Sequence, residues 1–111
     1  DGLQFKPEKP NGVKFEQFVF DALPLTTSSI TMEVVREDEF APVKNPDGID
    51  SVVSCRELLT NRAGRWLKAA GVTPPPTGSL LEMAYTYAID EQDVKAKAKA
   101  GSVVDANSVL E

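Results

Sequence analysis

The sequence has 111 residues, of which none is histidine and only one, Cys55, is cysteine. Histidine is the commonest general acid–base group and the commonest metal ligand, so its absence excludes Ser-His-Asp and Cys-His catalytic arrangements within this chain. A lone cysteine forms no intramolecular disulfide, and without histidine it cannot complete a Cys–His zinc site. These absences exclude most hydrolase mechanisms and the framework of a small secreted domain. The reducing cytoplasm is the expected location.

The chain also lacks a long apolar run and a signal-peptide pattern at residues 1–6. It does not begin with methionine, which is expected of a fragment or a processed chain. The net charge is −5, with ten acidic and five basic residues in 1–50 and seven of each in 51–111. Phosphate-backbone contacts need clustered Lys and Arg, and the single cluster, at 95–99, is expected to be a solvated surface. We therefore expect neither nucleic acid nor membrane among the partners.

What is present is ordinary for a globular domain, with 41% apolar and 26% charged residues. Residues 15–23 are predicted to form a short helix that ends at Pro24. A strand is the alternative, because Phe18 and Phe20 are two residues apart and aromatic. The apolar positions with helical spacing are Phe15, Phe18, Val19, Ala22 and Leu23.

A strand and a long loop are predicted next. Residues 30–36 alternate Ile30, Met32 and Val34 on one face and are rich in β-branched side chains, which favours a strand. Residues 40–48 contain two prolines and a glycine, which indicates an extended loop.

The clearest helix is predicted over residues 52–70. Asp50 or Ser51 is expected to cap its start and Gly71 to end it. Gly64 costs about 1 kcal/mol relative to alanine inside a helix, which suggests that another element packs closely there. The apolar stripe comprises Val52, Cys55, Leu59, Ala63, Trp66 and Ala70, widened by Leu58 and Leu67.

Two residues of this stripe carry specific expectations. Cys55 is interpreted as a small apolar core residue and not as a nucleophile. Trp66 is expected to be largely buried, because it lies on the face that should pack against the rest of the domain.

The last part of the chain follows three prolines at 74–76, which form the best linker candidate. Residues 81–89 alternate apolar positions and predict a strand. Asp90 is expected to cap a helix over 91–100 that ends at Gly101. The apolar pairs that could begin further strands are Val103-Val104 and Val109-Leu110.

Four segments, in this order and spacing, resemble the eukaryotic-type UDP-N-acetylglucosamine pyrophosphorylases over about residues 5–71. Beyond Gly71 the resemblance is thin, with matches near 80–82 and 87–88 and a departure at 83–86. The segments are KPEKPNGVK (6–14), FEQFVFD (15–21), REDEFAPVKN (36–45) and WLKAAG (66–71).

The resemblance implies a transferase that joins UTP and N-acetylglucosamine 1-phosphate, with Mg²⁺, to give UDP-N-acetylglucosamine and pyrophosphate. Such chemistry depends mainly on positioning and charge neutralisation, so the missing histidines do not count against it. The implied fold class is α/β, a Rossmann-like nucleotide-diphospho-sugar transferase. Residues 1–71 would be the C-terminal part of its catalytic domain, and residues 72–111 a proline linker and the start of a small C-terminal domain.

Three residues take roles from the resemblance. Lys44 matches a lysine that contacts the nucleotide-sugar phosphates, and its structural alternative is a surface ion pair with Glu37 or Glu39. Phe18 and Phe20 match aromatics that line the sugar and N-acetyl end of the pocket, and plain core packing is the alternative.

The acidic run Glu37-Asp38-Glu39 is the one group of carboxylates that suggests a metal site. Consecutive side chains point in different directions and cannot all face one ion, so a solvated or structural role is favoured. No metal ligand is therefore assigned, and Mg²⁺ belongs to the complete enzyme.

The family's glycine-rich triphosphate loop is missing from this chain, whose seven glycines form no such cluster. We therefore expect one wall of a site, completed by the remainder of the catalytic domain, and no activity from the isolated chain. The alternatives are a pyrophosphorylase for another UDP-sugar, a non-catalytic binding or interaction module of the same fold, and an assembly piece that uses Tyr85 and Tyr87 as a partner surface.

Overall fold

The computed structural model describes Gly2 and residues 6–111; residues 1 and 3–5, which include the first residue of the family resemblance, lie outside the described residues. The chain divides into two units, residues 1–33 and residues 34–111. The second unit combines helices with a two-stranded parallel sheet, which is compatible with the predicted α/β class. The elements are a 3₁₀ helix (Val19–Leu25), α1 (Arg36–Glu39), α2 (Val52–Ala69), β1 (Leu81–Met83), α3 (Glu91–Lys97) and β2 (Ser108–Leu110).

The described part of the first unit has no regular secondary structure apart from the 3₁₀ helix Val19–Leu25. The α-helix predicted over 15–23 is wrong, and Pro24 lies inside the 3₁₀ helix instead of ending an earlier one. The physical reason is the lack of burial. Every described residue of this unit is exposed, and 92% of the Phe15 surface is accessible to solvent. A short helix in water gains most of its stability from packing an apolar face, and none of these faces is packed.

The strand predicted over residues 30–36 is also wrong. This segment is extended but has no hydrogen-bonded neighbour strand among the described residues, and Arg36 already begins α1. Ile30 is 95% exposed, so the alternating apolar face is not covered. The loop predicted over residues 40–48 is confirmed.

Helix α2 confirms the clearest prediction to within one residue. Ser51 is its N-cap, with the hydroxyl accepting the Ser54 N–H at 3.3 Å and the Ser54 hydroxyl accepting the Ser51 N–H at 2.9 Å. At the other end, Gly71 has φ +74°, a left-handed conformation that glycine adopts without strain. The Val72 and Gly71 N–H groups bind the Leu67 and Lys68 carbonyls, so the last turn closes as a Schellman motif.

The core of the second unit lies on the second half of α2, around Ala63 and Leu67. A Cβ built on Gly64 would lie 3.9 Å from the Pro74 Cβ, an ordinary van der Waals distance, so Pro74 packs beside this glycine without requiring the absence of a side chain. The core joins residues on both sides of Gly71, where the predicted boundary between domains 1–71 and 72–111 lies. Its buried members are Ala63, Leu67, Val72, Leu81, Ala88 and Val94.

The apolar stripe predicted on α2 is only partly buried. Val52 and Leu59 are exposed because the buried contacts of α2 concentrate around Ala63 and Leu67. Trp66 packs against the core as one of its partly buried residues, which agrees with its place on the apolar face. Cys55 is half-buried and lies outside the core cluster, so its interpretation as a core residue is wrong.

The C-terminal elements pack on α2. Strand β1 pairs in parallel with β2, with Leu81 opposite Ser108 and Met83 opposite Leu110. The Thr60 hydroxyl of α2 binds both the N–H and the carbonyl of Leu81, at 3.2 and 3.3 Å. These bonds join the small sheet to the helix, and β2 confirms the strand expected at its apolar pair.

Strand β1 ends at Met83, so the strand predicted over 81–89 is too long. The Tyr87 and Ala88 N–H groups both bind the Ala84 carbonyl, at 2.9 and 3.1 Å, and turn the chain. Asp90 caps α3 as predicted, with its carboxylate accepting the Asp93 N–H at 2.8 Å. The helix ends at Lys97, one turn before Gly101. None of the helices formed by the described residues has the length and apolar character that crossing a bilayer requires.

Candidate functional site

Phe18 and Phe20, the two aromatics assigned to a sugar pocket, lie together in the first unit. Their ring centroids are 5.5 Å apart with an interplanar angle of 21°, so the rings are stacked. Both side chains are more than half exposed, at 54% and 62%. Within this unit neither ring is a core residue, and the pair presents aromatic surface that a sugar ring or another part of a protein can cover.

The turn that carries this pair is fixed by Asp21. Its carboxylate accepts the Phe18 N–H at 3.0 Å, and its own N–H donates to the Phe18 carbonyl at 3.0 Å. These two bonds start the 3₁₀ helix, so the pair is held by the main chain although its side chains are not packed.

Lys44 lies in the second unit, in the loop between α1 and α2, and its main chain is held firmly. The Asp50 carbonyl accepts the Lys44 N–H at 2.6 Å and the Asn45 N–H at 2.9 Å. The Asn45 side-chain amide donates to the Ile49 carbonyl at 2.8 Å. We call residues 44–50, closed on themselves by these three bonds, the lysine loop.

The lysine loop is tied to the start of α2 by Ser51, which is fully buried. Its hydroxyl donates to the Gly48 carbonyl at 2.7 Å while accepting the Ser54 N–H. One hydroxyl therefore caps the helix and holds the loop. The Lys44 main chain is thereby anchored, through the lysine loop, to the 18-residue helix α2.

The Lys44 side chain is exposed, and its ion pair with Glu37 or Glu39 is not formed in the described part of the chain. The ion pairs among the described residues are Lys14–Glu16, Arg65–Asp38 and Lys95–Glu91. A fixed main chain with an uncommitted ammonium group suits a lysine that follows a moving phosphate. The phosphate role itself stays a prediction.

The acidic run has a structural environment in helix α1. Arg65 of α2 forms an ion pair with the Asp38 carboxylate, and Arg62 donates to the Asp38 carbonyl at 3.0 Å. The last carbonyls of a helix have no partner within it, so Arg62 satisfies a carbonyl that α1 leaves open, while Arg65 pairs with the Asp38 side chain. This fits the structural interpretation of Asp38.

The described residues contain no group of three or more Asp, Glu or Cys side chains that could hold a metal ion. Asp38 is engaged with Arg65 and is not free to serve as a ligand. These residues therefore do not fit a Mg²⁺ site by themselves.

Chemically, the second unit offers a lysine on a loop whose main chain is held, and its exposed ammonium can neutralise phosphate charge. Sequence reasoning missed Asn45 and Asp50 as the residues that hold Lys44. A signal was present: Asp47-Gly48 favours a turn, and here Gly48 has φ +67° and Asp50 φ +58°. Which carbonyl the turn would offer to Lys44 is not readable from that signal.

No protein-family model matches the chain. The chain is 44% identical over 69 residues to the probable UDP-N-acetylglucosamine pyrophosphorylase of Caenorhabditis elegans, covering 60% of the chain and 14% of that protein. It is 42% identical over 73 residues to UDP-N-acetylhexosamine pyrophosphorylase-like protein 1 of Homo sapiens, covering 64% and 14%. It is 48% identical over 62 residues to UDP-N-acetylglucosamine diphosphorylase 1 of Arabidopsis thaliana, covering 54% and 12%.

The predicted resemblance to the UDP-N-acetylglucosamine pyrophosphorylases is confirmed. The matched stretch spans about one seventh of these relatives and more than half of this chain. The similarity covers more than half of this chain but only a small part of each relative. Most of the sequence of these relatives therefore has no counterpart in this chain.

Proposed function

We propose that the chain is part of a uridylyltransferase that makes UDP-N-acetylglucosamine and pyrophosphate from UTP and N-acetylglucosamine 1-phosphate. The observation that carries this proposal is the identity of 42–48% to a probable pyrophosphorylase of a nematode, a pyrophosphorylase-like protein of a mammal and a diphosphorylase of a plant. Chance similarity does not produce that agreement over more than half of a chain. The proposed fold of the complete catalytic domain is that of a nucleotide-diphospho-sugar transferase.

Lys44 is the proposed catalytic residue, contacting the phosphates of the nucleotide sugar. Its N–H is fixed at 2.6 Å from the Asp50 carbonyl, while its side chain is exposed. An ammonium in this position neutralises charge on the phosphate oxygens as the sugar phosphate attacks the α-phosphorus and pyrophosphate leaves. Preorganised charge of this kind is worth most where it strengthens in the transition state.

Phe18 and Phe20 are the proposed substrate-binding aromatics. An aromatic face against a sugar ring gives apolar contact and selects shape without taking part in bond making. The exposed stacked pair supports this role, because its ring surface is not consumed by packing within the first unit.

The remainder of the site is proposed to come from other parts of the longer protein. These other parts would supply the glycine-rich triphosphate loop, the ligands of Mg²⁺ and the surface that covers the first unit. Support comes from the large apolar side chains that the described residues of this unit leave exposed, a pattern typical of a surface that packs against a partner. They include Val13, Phe15, Val19, Leu23, Leu25, Ile30 and Met32.

The test is replacement of Lys44 in the longer protein. Lys44→Ala removes the cation and is expected to lower kcat by about 10²- to 10³-fold, by analogy with loss of one preorganised electrostatic group. Lys44→Arg keeps the charge but changes its shape and reach, so partial activity is expected. Steady-state kinetics with UTP, N-acetylglucosamine 1-phosphate and Mg²⁺ measure both.

Lys99→Ala is the matched control, because Lys99 is also exposed and lies outside the segments of family resemblance. Its kinetics and melting temperature should match those of the parent. Melting temperatures of the Lys44 variants should hardly change, since an exposed lysine contributes little to stability. If Lys44→Ala keeps kcat and KM within about threefold of the parent, the phosphate role is wrong.

A further inference from the structure

Asn45 makes two hydrogen bonds that close the lysine loop. Its main-chain N–H donates to the Asp50 carbonyl at 2.9 Å, and its side-chain amide donates to the Ile49 carbonyl at 2.8 Å. The same Asp50 carbonyl accepts the Lys44 N–H. Asn45 is therefore the residue through which the side that carries Lys44 is joined to the side that leads into α2.

The part of the lysine loop that leads into α2 needs the bond from the Asn45 amide, because the backbone there is not in a relaxed conformation. Asp50 has φ +58°, in the left-handed region that L-residues with a side chain rarely adopt. A residue held there persists only where its surroundings fix it. The bond from the Asn45 amide to the Ile49 carbonyl acts on the residue directly before Asp50 and so constrains the orientation of the carbonyl that holds Lys44.

The start of α2 completes the frame but does not replace Asn45. Ser51 fixes Gly48 and the first turn of the helix through its buried hydroxyl. No side chain other than Asn45 donates to Ile49 or Asp50 among the described residues. The Ser51 N–H, bonded to the Ser54 hydroxyl at 2.9 Å, holds the peptide plane after Asp50, whereas the Asn45 amide holds the plane before it. Without the Asn45 amide, the Asp50 backbone is held on one side only, and the loop that carries Lys44 is looser.

We propose that Asn45 is a positioning residue that sets where the Lys44 ammonium reaches, and through it the rate of the transferase. This inference rests on the proposed function of Lys44. Displacement of a reacting group by about 1 Å can cost on the order of 100-fold in rate, so a loosened loop should act on turnover more than on binding. Asn45 itself touches no substrate in this proposal.

The experiment is a double-mutant cycle in the longer protein, with UTP, N-acetylglucosamine 1-phosphate and Mg²⁺ as substrates. Asn45→Ala is expected to lower kcat by about tenfold or more, with a smaller change in KM. In the Lys44→Ala background the same substitution should lower kcat no further, because the group that it positions is already gone. Asn45→Asp keeps the size but removes the amide donor; it should behave in the same way and serves if Asn45→Ala does not fold.

Asn107→Ala is the matched control. Asn107 is also exposed, has φ +56°, and holds a loop through its side chain, whose oxygen accepts the Leu80 N–H at 3.1 Å. Both asparagine variants should melt earlier than the parent, but only the Asn45 variant should lose turnover. This separates positioning of Lys44 from a general loss of loop stability.

The outcomes distinguish the two levels of the proposal. If Lys44→Ala is impaired while Asn45→Ala and Asn45→Asp keep the parent kcat, the positioning role is overturned and the function of Lys44 stands. A further, multiplicative loss in the double variant also overturns it, because Asn45 then acts independently of Lys44. If Lys44→Ala turns over normally, the phosphate role and this inference fall together.

Discussion

Trp66 lies half-buried on α2, where it packs against the core while the Arg62 guanidinium lies 4.8 Å above its ring. Its environment is therefore mixed: one part of the indole is covered by apolar neighbours and another by a cation. The helical periodicity of the sequence places Trp66 correctly on the apolar stripe. The extent of its burial depends on how far β1 and α3 cover the helix, which no local pattern reveals.

Trp66→Ala is expected to destabilise the fold by about 2 kcal/mol, less than the roughly 3–5 kcal/mol typical of a fully buried tryptophan. The loss combines partial apolar burial with the contact to Arg62. Denaturant unfolding of the parent and the variant measures the difference. Tyr85→Ala, at an aromatic that is 82% exposed, is the control and should change stability by less than about 0.5 kcal/mol. Equal effects at the two positions would contradict the assigned packing of Trp66.

Lys44 illustrates the limit of sequence reasoning at a site. The two prolines and the glycine of residues 40–48 are sufficient to predict a loop, and the resemblance singles out Lys44 within it. The bonds from Lys44 and Asn45 to the Asp50 carbonyl depend on a left-handed backbone at Asp50. Aspartate adopts that conformation only in particular contexts, so the pattern of residue types does not specify it.

At the scale of elements, α2 is the part of the fold that the sequence specifies best. Local residues set its start and its end. The Ser51 hydroxyl caps the first turn, and Gly71 at φ +74° closes the last turn. Ser51 has a second task that the sequence does not show, since its hydroxyl also binds the Gly48 carbonyl in the lysine loop.

Ser51→Ala is therefore expected to cost about 1–2 kcal/mol of stability, at the upper end for an N-cap. The variant leaves the Ser54 N–H without its cap and the Gly48 carbonyl without its donor, and both effects add to the loss. Thermal melts of the variant and the parent provide the measurement. Ser29→Ala, at an exposed serine in an extended segment, is the control and should melt with the parent. Coincident melts for all three proteins would show that Ser51 carries neither task.

The elements that sequence reasoning misplaced depend on contacts, or on their absence among the described residues, that a local sequence pattern does not reveal. The apolar faces of residues 15–23 and 30–36 are exposed, so neither a helix nor a strand is stabilised there. Strand β1 stops early because a turn follows it, and the Lys97 ammonium binds the Thr86 and Tyr87 carbonyls in that turn. A lysine ten residues further along the chain is not a local signal.

At the scale of the whole molecule, the two units differ in how much they bury. The second unit has a core of six buried apolar residues, whereas the described residues of the first unit are all exposed. The matched stretch also spans only about 14% of several of its relatives. Both observations agree with the proposal that the chain is part of a longer protein.

The most direct test of this account is to measure UDP-N-acetylglucosamine and pyrophosphate formed from UTP, N-acetylglucosamine 1-phosphate and Mg²⁺. The longer protein that carries this chain should form both products. The isolated 111-residue chain should release no more pyrophosphate than a sample without protein, because it has no glycine-rich loop to bind the triphosphate. Failure of the longer protein to form UDP-N-acetylglucosamine would contradict the account, as would clear pyrophosphate release by the isolated chain.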